Sequence, residues 1–258
     1  MSTAVYTGRT ALSVHAINTL AACPEKYRLH YHEGLPTGSA IPFERGKIVH
    51  EALHAGATGH AYNSTIAAQQ ARRYAHHHAS DFDALGWAKD DVQQFVGYVA
   101  ETLLPAYYAS SACERNLTAT ELKIVDEEMQ PPFLGYVDYV RKDHTLGDYK
   151  YHDRAPTGSM EWDPQLATYA AIYERSKGVR PPQIVYLHII GTKVPRFVPE
   201  VYDVTPGMIE EARRDLDSWY RLLTHLEDHA EWPRNRKNCC TYGRPCEFVS
   251  TCFTRPAF

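Results

Sequence analysis

Apolar residues recur every three or four positions through the first half of the chain, which predicts amphipathic helices. Ser13 and Asn63 stand at positions typical of N-caps. The helices predicted from this pattern are "VHAINTLAAC", "PFERGKIVHEALHAG", "NSTIAAQQARRYAHHHA" and "DDVQQFVGYVAETLLPAYYASS", the last of them kinked at Pro105. The N-terminal part, about residues 1–115, is therefore expected to be helical.

The pattern then changes to an alternation of apolar and polar residues, which predicts strands. The predicted strands are "ATELKIVDEEM", "FLGYVDYVRK", "TLGDYKYHD", "QIVYLHIIGT" and "RFVPEVYDVT". A helix ending at Gly178 separates the third from the fourth, and Thr205 opens a last helix. We expect an α/β fold, with a small mixed sheet flanked by helices in a core of about residues 116–230. No long linker or internal repeat interrupts the chain, so residues 1–258 are predicted to form one domain.

Composition narrows the possible functions. The net charge is −4, so no general basic field favours nucleic acid, and any such contact would need a local patch. The first residues lack the features of a signal peptide, and no apolar run reaches the roughly 18 residues of a membrane span. We expect a cytoplasmic protein without membrane contact. In a reducing compartment, the six cysteines favour metal or cluster ligation over disulfides.

The second and third predicted strands carry acidic residues that would face each other. A turn centred on Asp143 places Asp138 opposite Asp148, with Cβ atoms about 5 Å apart on one face. Two carboxylates that close repel unless a cation lies between them, and hard oxygen ligands suit Mg²⁺ or Mn²⁺. Lys150 lies on the same face, where it could steady an oxyanion or orient a water molecule. The alternative is an ordinary surface hairpin with mixed charges.

A second motif suggests different chemistry. Residues 50–54, "HEALH", match H-E-x-x-H, the helix of zinc metalloproteases, and His60 falls at the third-ligand position of the longer pattern. Ala57 stands where that longer pattern requires glycine. Short motifs of this kind also arise by chance in a chain with 14 histidines. A zinc protease remains an alternative.

Cysteines cluster in the tail, about residues 235–258. Cys240, Cys246 and Cys252 are equally spaced, Cys239 is adjacent to the first, and Cys23 lies far upstream. Three thiolates and a distant fourth could hold zinc or a [4Fe–4S] cluster, and the spacing is wider than in zinc fingers, which favours iron–sulfur. Such a site would link the N- and C-terminal segments. The alternative is a set of buried cysteines without a ligand.

Taken together, these motifs resemble the PD-(D/E)xK nuclease superfamily, in particular the RecB-like exonucleases with an iron–sulfur cluster, which include CRISPR-adaptation nucleases and phage-encoded relatives. The similar segments, in the family's order, are the opening helix with Cys23, "RGKIVHEAL" with Gly46 and His50, "GYVD" with Asp138, "GDYK" with Asp148 and Lys150, "QLATY" with Gln165 and Tyr169, and the tail with Cys240, Cys246 and Cys252. Asp148 replaces the glutamate common in the wider superfamily, and Cys239 leaves one cluster ligand ambiguous.

The resemblance implies a restriction-endonuclease-like core and a metal-dependent DNA nuclease of the exonuclease type, acting in DNA repair, recombination, or phage or CRISPR DNA processing. It implies one or two Mg²⁺ or Mn²⁺ ions on His50, Asp138, Asp148 and the carbonyl of Tyr149, with Lys150 orienting the water. Gln165 and Tyr169 would position the phosphate or the lysine, or would simply belong to a helix packed on the sheet, with Tyr169 in the core. Glu121 could add an outer carboxylate, or be a solvated strand residue.

The implied substrate is DNA that is single-stranded or has free ends. Basic residues that could contact its phosphates are Arg28, Arg45, Lys47, Arg72, Arg73, Arg154 and Arg196, although each could be an ordinary surface charge. Tyr149 and Tyr151 could stack on bases, although tyrosines on strands are usually core residues. The chain has no helicase motif, so a helicase or recombination partner or a homo-oligomer is conceivable. A non-catalytic DNA-binding or assembly subunit with the same fold is the third alternative.

Overall fold

The computed structural model describes residues 11–57, 62–161, 163–241 and 244–254. Its internal contacts divide the chain into two compact units. The terminal unit comprises Met1–Gly38, Val125–Gly135 and Glu210–Phe258, and the sheet unit comprises Ser39–Ile124 and Tyr136–Ile209. No helix in the described ranges is both long and apolar enough to cross a bilayer. That all parts form a single domain stays a prediction.

The N-terminal part is helical, as the apolar periodicity predicted. The helices are α1 (Val14–Ala22), α2 (Pro24–Tyr27), α3 (Ile41–Ala57), α4 (Ser64–His77), α5 (Ala79–Ala84), α6 (Lys89–Tyr98) and α7 (Leu104–Ala109). Both predicted caps are confirmed: Ser13 Oγ accepts a hydrogen bond from Ala16 N at 3.2 Å, and Asn63 Oδ1 accepts one from Thr65 N at 2.8 Å. Near Pro105, the helix passes through a π-helical turn, Val99–Leu103.

Five strands form one mixed sheet in the order β1-β2-β3-β4-β5. The strands are β1 (Leu117–Asp126), β2 (Phe133–Arg141), β3 (Leu146–His152), β4 (Gln183–Ile190) and β5 (Arg196–Asp203). β3 runs antiparallel to β2 and parallel to β4, and β4 runs antiparallel to β5. Helix α8 (Pro164–Lys177) connects the parallel pair. The predicted α/β class, a small mixed sheet flanked by helices, is confirmed.

Alternation along β3 separates its side chains between the two faces of the sheet. Tyr149 is 4% exposed and packs in a core with Ile48 and Leu53 of α3, Tyr139 and Leu187. The suggestion that Tyr149 stacks on DNA bases is therefore wrong, because its ring is buried among apolar side chains. Asp148 and Lys150 point to the opposite face.

Helix α8 lies against β3 and β4, and both of its ends follow sequence signals. Asp163 Oδ1 accepts a hydrogen bond from Gln165 N at 2.8 Å, which caps the first turn. Gly178 ends the helix in the left-handed region, with φ of 69°. The cap fixes Gln165 in the first turn, and Tyr169 lies one turn later.

The terminal unit has a small core of its own. Leu29, Phe248 and Cys252 are buried together, and Cys246 packs against them. Tyr27 and Trp232 stack with centroids 6.0 Å apart. The remaining elements are α9 (Pro206–His229), a 3₁₀ turn at Arg236–Asn238, β6 (Cys240–Thr241), β7 (Arg244–Pro245) and α10 (Val249–Thr254). Within this unit, the C-terminal segment therefore packs on the residues that follow α1 and α2.

Candidate active site

The hairpin of β2 and β3 has the register that the sequence predicted. Tyr139 pairs with Gly147 and Val140 with Leu146, and the same offset places Asp138 opposite Asp148. The paired residues end there, and Asp138 Oδ2 accepts a hydrogen bond from the backbone N–H of Tyr149 at 2.7 Å. The carboxylate of Asp138 on β2 is thus bound to the backbone of β3 directly after Asp148.

Gly147 is required by a cross-strand contact. A Cβ atom at this position would lie 1.9 Å from the ring of Tyr139, which is completely buried and has no room to move. Any larger residue would push apart the two strands that carry Asp138 and Asp148. The glycine before Asp148 therefore supports the hairpin geometry rather than contacting a ligand.

Helix α3 brings His50 to Asp138. His50 Nδ1 lies 3.2 Å from Asp138 Oδ2. Two adjacent ligands of an octahedral ion at roughly 2.0–2.1 Å would lie about 3 Å apart, so this separation suits a shared cation. Burial lowers the pKa of His50, while the charge of Asp148 and the Tyr149 backbone act in the opposite direction. A neutral imidazole keeps the lone pair that a metal requires.

Glu121 on β1 completes a group that could hold a metal ion. Ligand atoms of His50, Glu121 and Asp138 all lie within 4.8 Å of one another. Glu121 has a positive φ of 50°, an uncommon conformation for a residue with a side chain that costs roughly 1–2 kcal/mol. The sequence suggested at most an outer carboxylate, whereas the structure places Glu121 within reach of direct ligation. Alternation along β1 gave no signal of this backbone conformation.

Negative charge is concentrated at this point. Burial raises the pKa of Asp138 well above its usual value, and the charges of Asp148 and Glu121 raise this pKa further. The hydrogen bond from Tyr149 N and the charge of Lys150 lower it in part. Asp148 is 3% exposed, and its Oδ2 lies 2.8 Å from Lys150 Nζ without the geometry of a hydrogen bond. Crowded, buried carboxylates of this kind fit a hard divalent cation.

Gln165 connects the acid and the base of β3. Its Oε1 accepts a hydrogen bond from Lys150 Nζ at 2.9 Å, and its Nε2 donates one to Asp148 Oδ1 at 2.8 Å. Tyr169 is buried one turn further along α8. Burial raises the pKa of Tyr169 to about 12, with smaller contributions from the charges of Asp148 and Asp138. The first two turns of α8 thus hold the ammonium group and one carboxylate in fixed positions.

A second polar row adjoins Lys150 and was not anticipated from the sequence. His152 Nε2 and His188 Nδ1 lie 3.0 Å apart, and His188 Nε2 lies 2.8 Å from Glu200 Oε2. Glu200 also accepts hydrogen bonds from Met160 N and Ser159 Oγ, both at 2.9 Å. The pairing of β3, β4 and β5 brings these residues together, since Lys150 lies beside His188, and Tyr186 beside Glu200, in the sheet register. The sequence could not predict the row, because it does not show which strands are neighbours in the sheet.

The comparison with protein families decides the assignment of this fold. The model of the PD-(D/E)XK nuclease superfamily matches residues 11–253. The chain belongs to this superfamily. A solved structure of the "Putative exonuclease" from Eubacterium rectale aligns with a TM-score of 0.67 and 13% identity, covering 100% of this chain and 94% of that one. This match supports the restriction-endonuclease-like fold. No curated protein matches the chain.

In this PD-(D/E)XK nuclease, the H-E-x-x-H segment is divided between different surroundings. His50 joins the ligand group, whereas Glu51 Oε2 accepts a hydrogen bond from Gln70 Nε2 at 3.2 Å. His60 lies outside the described residues. Among the described residues, His50 is therefore the one histidine that enters a metal-ligand group.

Seven basic residues were predicted to contact phosphates, and four of them form ion pairs within the protein. The pairs are Arg28 with Glu25 at 2.8 Å, Arg45 with Asp153 at 2.9 Å, Lys47 with Glu44 at 2.9 Å and Arg72 with Glu101 at 3.3 Å. Arg73, Arg154 and Arg196 are exposed. Their role in DNA binding stays a prediction.

The cysteines lie in the terminal unit of the nuclease, apart from Cys113. Cys23 Sγ accepts a hydrogen bond from Asn235 N at 3.4 Å, and Cys246 N donates one to Cys239 O at 2.7 Å. Burial raises the pKa of Cys252, and nearby Cys23 and Cys239 raise it further. The cysteines with described side chains form no disulfide, and no three of them bring their sulfurs within 4.8 Å. The side chain of Cys240 lies outside the described part.

Proposed function

We propose that this chain is a Mg²⁺- or Mn²⁺-dependent deoxyribonuclease that degrades DNA from its ends. The observation that carries the proposal is the convergence of His50, Glu121 and Asp138 beside the Lys150–Gln165 pair. Superfamily membership supports phosphodiester hydrolysis. The name of the Eubacterium rectale structure supports the exonuclease mode, although a 13% identical neighbour establishes only the fold.

The proposed roles follow from the contacts. His50, Glu121 and Asp138 would hold one ion, and Asp148 and the carbonyl of Tyr149 would extend the ligand set. A bound divalent ion supplies a water of lowered pKa and offsets charge on the phosphate. Lys150 orients the attacking water and stabilises charge on the phosphate oxygens.

Two residues of α8 would act through their neighbours. Gln165 would hold the side chains of Lys150 and Asp148 in place, because it forms a hydrogen bond with each of them. Tyr169, packed close to both aspartates, would help to position the scissile phosphate or Lys150. Neither role requires contact with the ion itself.

We further propose that the terminal unit binds a [4Fe–4S] cluster through Cys23, Cys246, Cys252 and either Cys239 or Cys240. Support comes from the placement of four described cysteines, Cys23, Cys239, Cys246 and Cys252, in one unit. Protein purified without oxygen should be brown, with a broad absorption at about 400 nm. Colourless protein with stoichiometric zinc would overturn this assignment. Replacing Cys239 or Cys240 by serine, one at a time, identifies the ligand by which change abolishes the colour.

Process, partners and location stay predictions. DNA repair, recombination, and phage or CRISPR DNA processing are all compatible with an end-directed nuclease. A helicase or recombination partner, a homo-oligomer and a cytoplasmic location were expected from the sequence and from the resemblance.

The test compares linear DNA blocked at the 5′ or 3′ end with covalently closed circular DNA, in Mg²⁺, Mn²⁺ or EDTA. We expect release of nucleotides from linear DNA, inhibition by one of the two blocks, and intact circles. Cleaved circles would show an endonuclease. Loss of all cleavage on Asp138→Asn, but not on Lys123→Ala at an exposed position of β1, ties the activity to this site.

Two measurements separate the alternatives. A zinc protease would lose its general base, and with it peptide hydrolysis, on Glu51→Ala. The nuclease should keep its DNA cleavage rate within about twofold, because Glu51 Oε2 accepts a hydrogen bond from Gln70 and the grouped ligands are His50, Glu121 and Asp138. DNA binding without cleavage in any metal would favour the non-catalytic subunit.

A further inference from the structure

The polar row beside Lys150, formed by His152, His188 and Glu200, ends in one open ring nitrogen. His188 is 3% exposed, and both of its ring nitrogens have a partner: Nδ1 lies 3.0 Å from His152 Nε2, and Nε2 lies 2.8 Å from Glu200 Oε2. His152 is half-buried, and its Nδ1 forms no hydrogen bond within the described part of the chain. This nitrogen is therefore the atom through which the row can contact a ligand.

Glu200 fixes where the protons of the row lie. Burial would raise the pKa of Glu200, but its hydrogen bonds, including the one from His188, lower it to about 2. A carboxylate only accepts, so a neutral His188 carries its proton on Nε2, and its Nδ1 accepts from His152 Nε2. The neutral His152 ring then presents the lone pair of Nδ1. One further proton converts this nitrogen into a donor.

The row shares a face of the sheet with the candidate catalytic residues. Side chains alternate along β3, so His152 lies on the face of Asp148 and Lys150, and it follows Lys150 by about 7 Å. Lys150 also pairs with His188 in the sheet register. A DNA strand that is held at Asp148 and Lys150 and continues along β3 therefore passes over His152.

Arg196 adds a cation to the same surface. His152 pairs with Ile190, and Ile190 pairs with Arg196, so His152 and Arg196 share a face with Cα atoms about 10 Å apart. Arg196 is exposed and forms no ion pair within the described ranges. Val198, which lies beside His188, is 46% exposed, so this part of the face is open to solvent. The long side chain of Arg196 can converge with His152 on one ligand, and its charge favours an anion over a metal ion.

We propose that His152 and Arg196 together bind a backbone phosphate of the DNA strand other than the scissile one. When the phosphate binds, His152 Nδ1 takes up a proton from solvent and donates a hydrogen bond to a phosphate oxygen. His188 and Glu200 orient the ring and offset its added charge. This inference rests on the proposed nuclease function, and it concerns the binding of the substrate rather than the chemical step.

The charges around His152 set the direction of the pH dependence. Burial lowers the pKa of His152, and the charges of His188 and Lys150 lower it further, so the free protein holds a neutral ring at pH 7. A bound phosphate acts in the opposite direction. Affinity should therefore rise as the pH falls from about 8 to 6, and level off where the free ring is also protonated. The other charged groups of the neighbouring elements are Asp153 and Arg154 after β3, Glu161 and Asp163 before α8, and Arg196 and Glu200 of β5.

The test measures binding of a single-stranded oligonucleotide in Mg²⁺ to the full chain with Asp138→Asn, which is expected to prevent cleavage. Fluorescence anisotropy gives the affinity at several pH values and salt concentrations. His152→Gln keeps a donor for His188 but does not titrate, and should lower the affinity about tenfold at pH 6 and less at pH 8, as is typical of one charge-assisted hydrogen bond. The slope of log affinity against log salt should fall by about one at pH 6.

Two further variants keep the result interpretable. Arg196→Gln, at an exposed position, should lower the salt slope by about one at both pH values, and it provides the test if His152→Gln melts early. Lys177→Gln, exposed at the end of α8, is the matched control and should leave the pH dependence unchanged. Neutral methylphosphonate, introduced at one linkage at a time, should lower the affinity at one linkage beyond the scissile one, and His152→Gln should remove that penalty.

Three results would overturn the phosphate site. An effect of His152→Gln that does not change with pH would show a structural role. A contribution of His152 that weakens as the pH falls would show that its lone pair accepts a hydrogen bond from a base. An unchanged salt slope in Arg196→Gln would exclude the shared contact. Failure of the wild-type protein to cleave any DNA overturns the proposed function instead.

Discussion

The two units hold their candidate centres in different ways. In the sheet unit, each polar side chain is tied to another: Asp138 to His50 and to the Tyr149 N–H, and Gln165 to Asp148 and Lys150. In the terminal unit, the described thiols contact backbone atoms rather than one another: Asn235 N donates to Cys23 Sγ at 3.4 Å, and Cys239 Sγ donates to Asn235 O at 3.8 Å. The first centre is arranged by the protein itself. The second would need its bound group to draw the ligands together, as in domains whose metal binding is coupled to folding.

The largest expected effect tests the candidate active site of the sheet unit. Lys150→Ala should lower kcat/KM for DNA cleavage by roughly 10²–10³-fold, the usual cost of removing a group that stabilises developing charge. The melting temperature is measured beside the rate, because Lys150 is half-buried and its Nζ lies 2.8 Å from Oδ2 of the buried Asp148. Cleavage within a few-fold of wild type would show that Lys150 is not part of the mechanism, and Lys123→Ala is the control.

The next effect tests the terminal unit. Cys23→Ser should abolish the absorption near about 400 nm and lower the melting temperature, because the bound cluster contributes folding free energy. Cys113→Ser, in the sheet unit, should leave the absorption unchanged. Full absorption in Cys23→Ser protein would exclude Cys23 as a ligand. Cleavage per folded molecule should fall less than with Lys150→Ala.

A smaller effect is expected from the residue that connects β3 to α8. Gln165→Ala should reduce kcat about 10- to 100-fold with little change in KM, because Lys150 and Asp148 remain but lose the group that orients them. Gln165→Glu should not restore kcat, since a carboxylate has no N–H for Asp148. A pure KM effect would instead indicate that Gln165 binds substrate.

The smallest effect concerns pH and lies in the polar row next to the site. Burial would raise the pKa of Glu200, but hydrogen bonds from Tyr202, Met160 N, His188 and Ser159 lower it from 4.5 to about 2. Its stabilising contribution is therefore complete above about pH 5 and is lost as the pH falls through 4.5 towards 2.

Urea unfolding measures this effect. The difference in unfolding free energy between wild type and Glu200→Gln should be largest near neutral pH. It should shrink between about pH 5 and 3, because Glu200 titrates near 4.5 in the unfolded chain and at about 2 in the folded protein. Glu210→Gln, exposed on α9, should show no such trend. A difference that is constant with pH would show that Glu200 does not titrate in this way.

The apolar periodicity and the turn residues of the sequence were sufficient to predict the helices and strands and the register of the β2–β3 hairpin. The turn at Asp143 gave the register of Asp138 and Asp148, and Gly178 gave the end of α8. The sequence did not reveal the backbone conformation of Glu121, because a positive φ within a strand has no pattern in residue types. It also did not show which face of β3 is covered by α3, and the ring of Tyr149 was misjudged for that reason.

Gly147 has a consequence for how function would be mapped by mutation. It touches no proposed ligand, yet any Cβ there meets the ring of Tyr139. In a saturation scan scored by activity, Gly147 would be as intolerant as Asp148 beside it, and would be misread as part of the chemistry. A paired library that also shrinks Tyr139 would separate the two, because space restored at 139 rescues a side chain at 147 but no substitution at 139 rescues a lost carboxylate at 148.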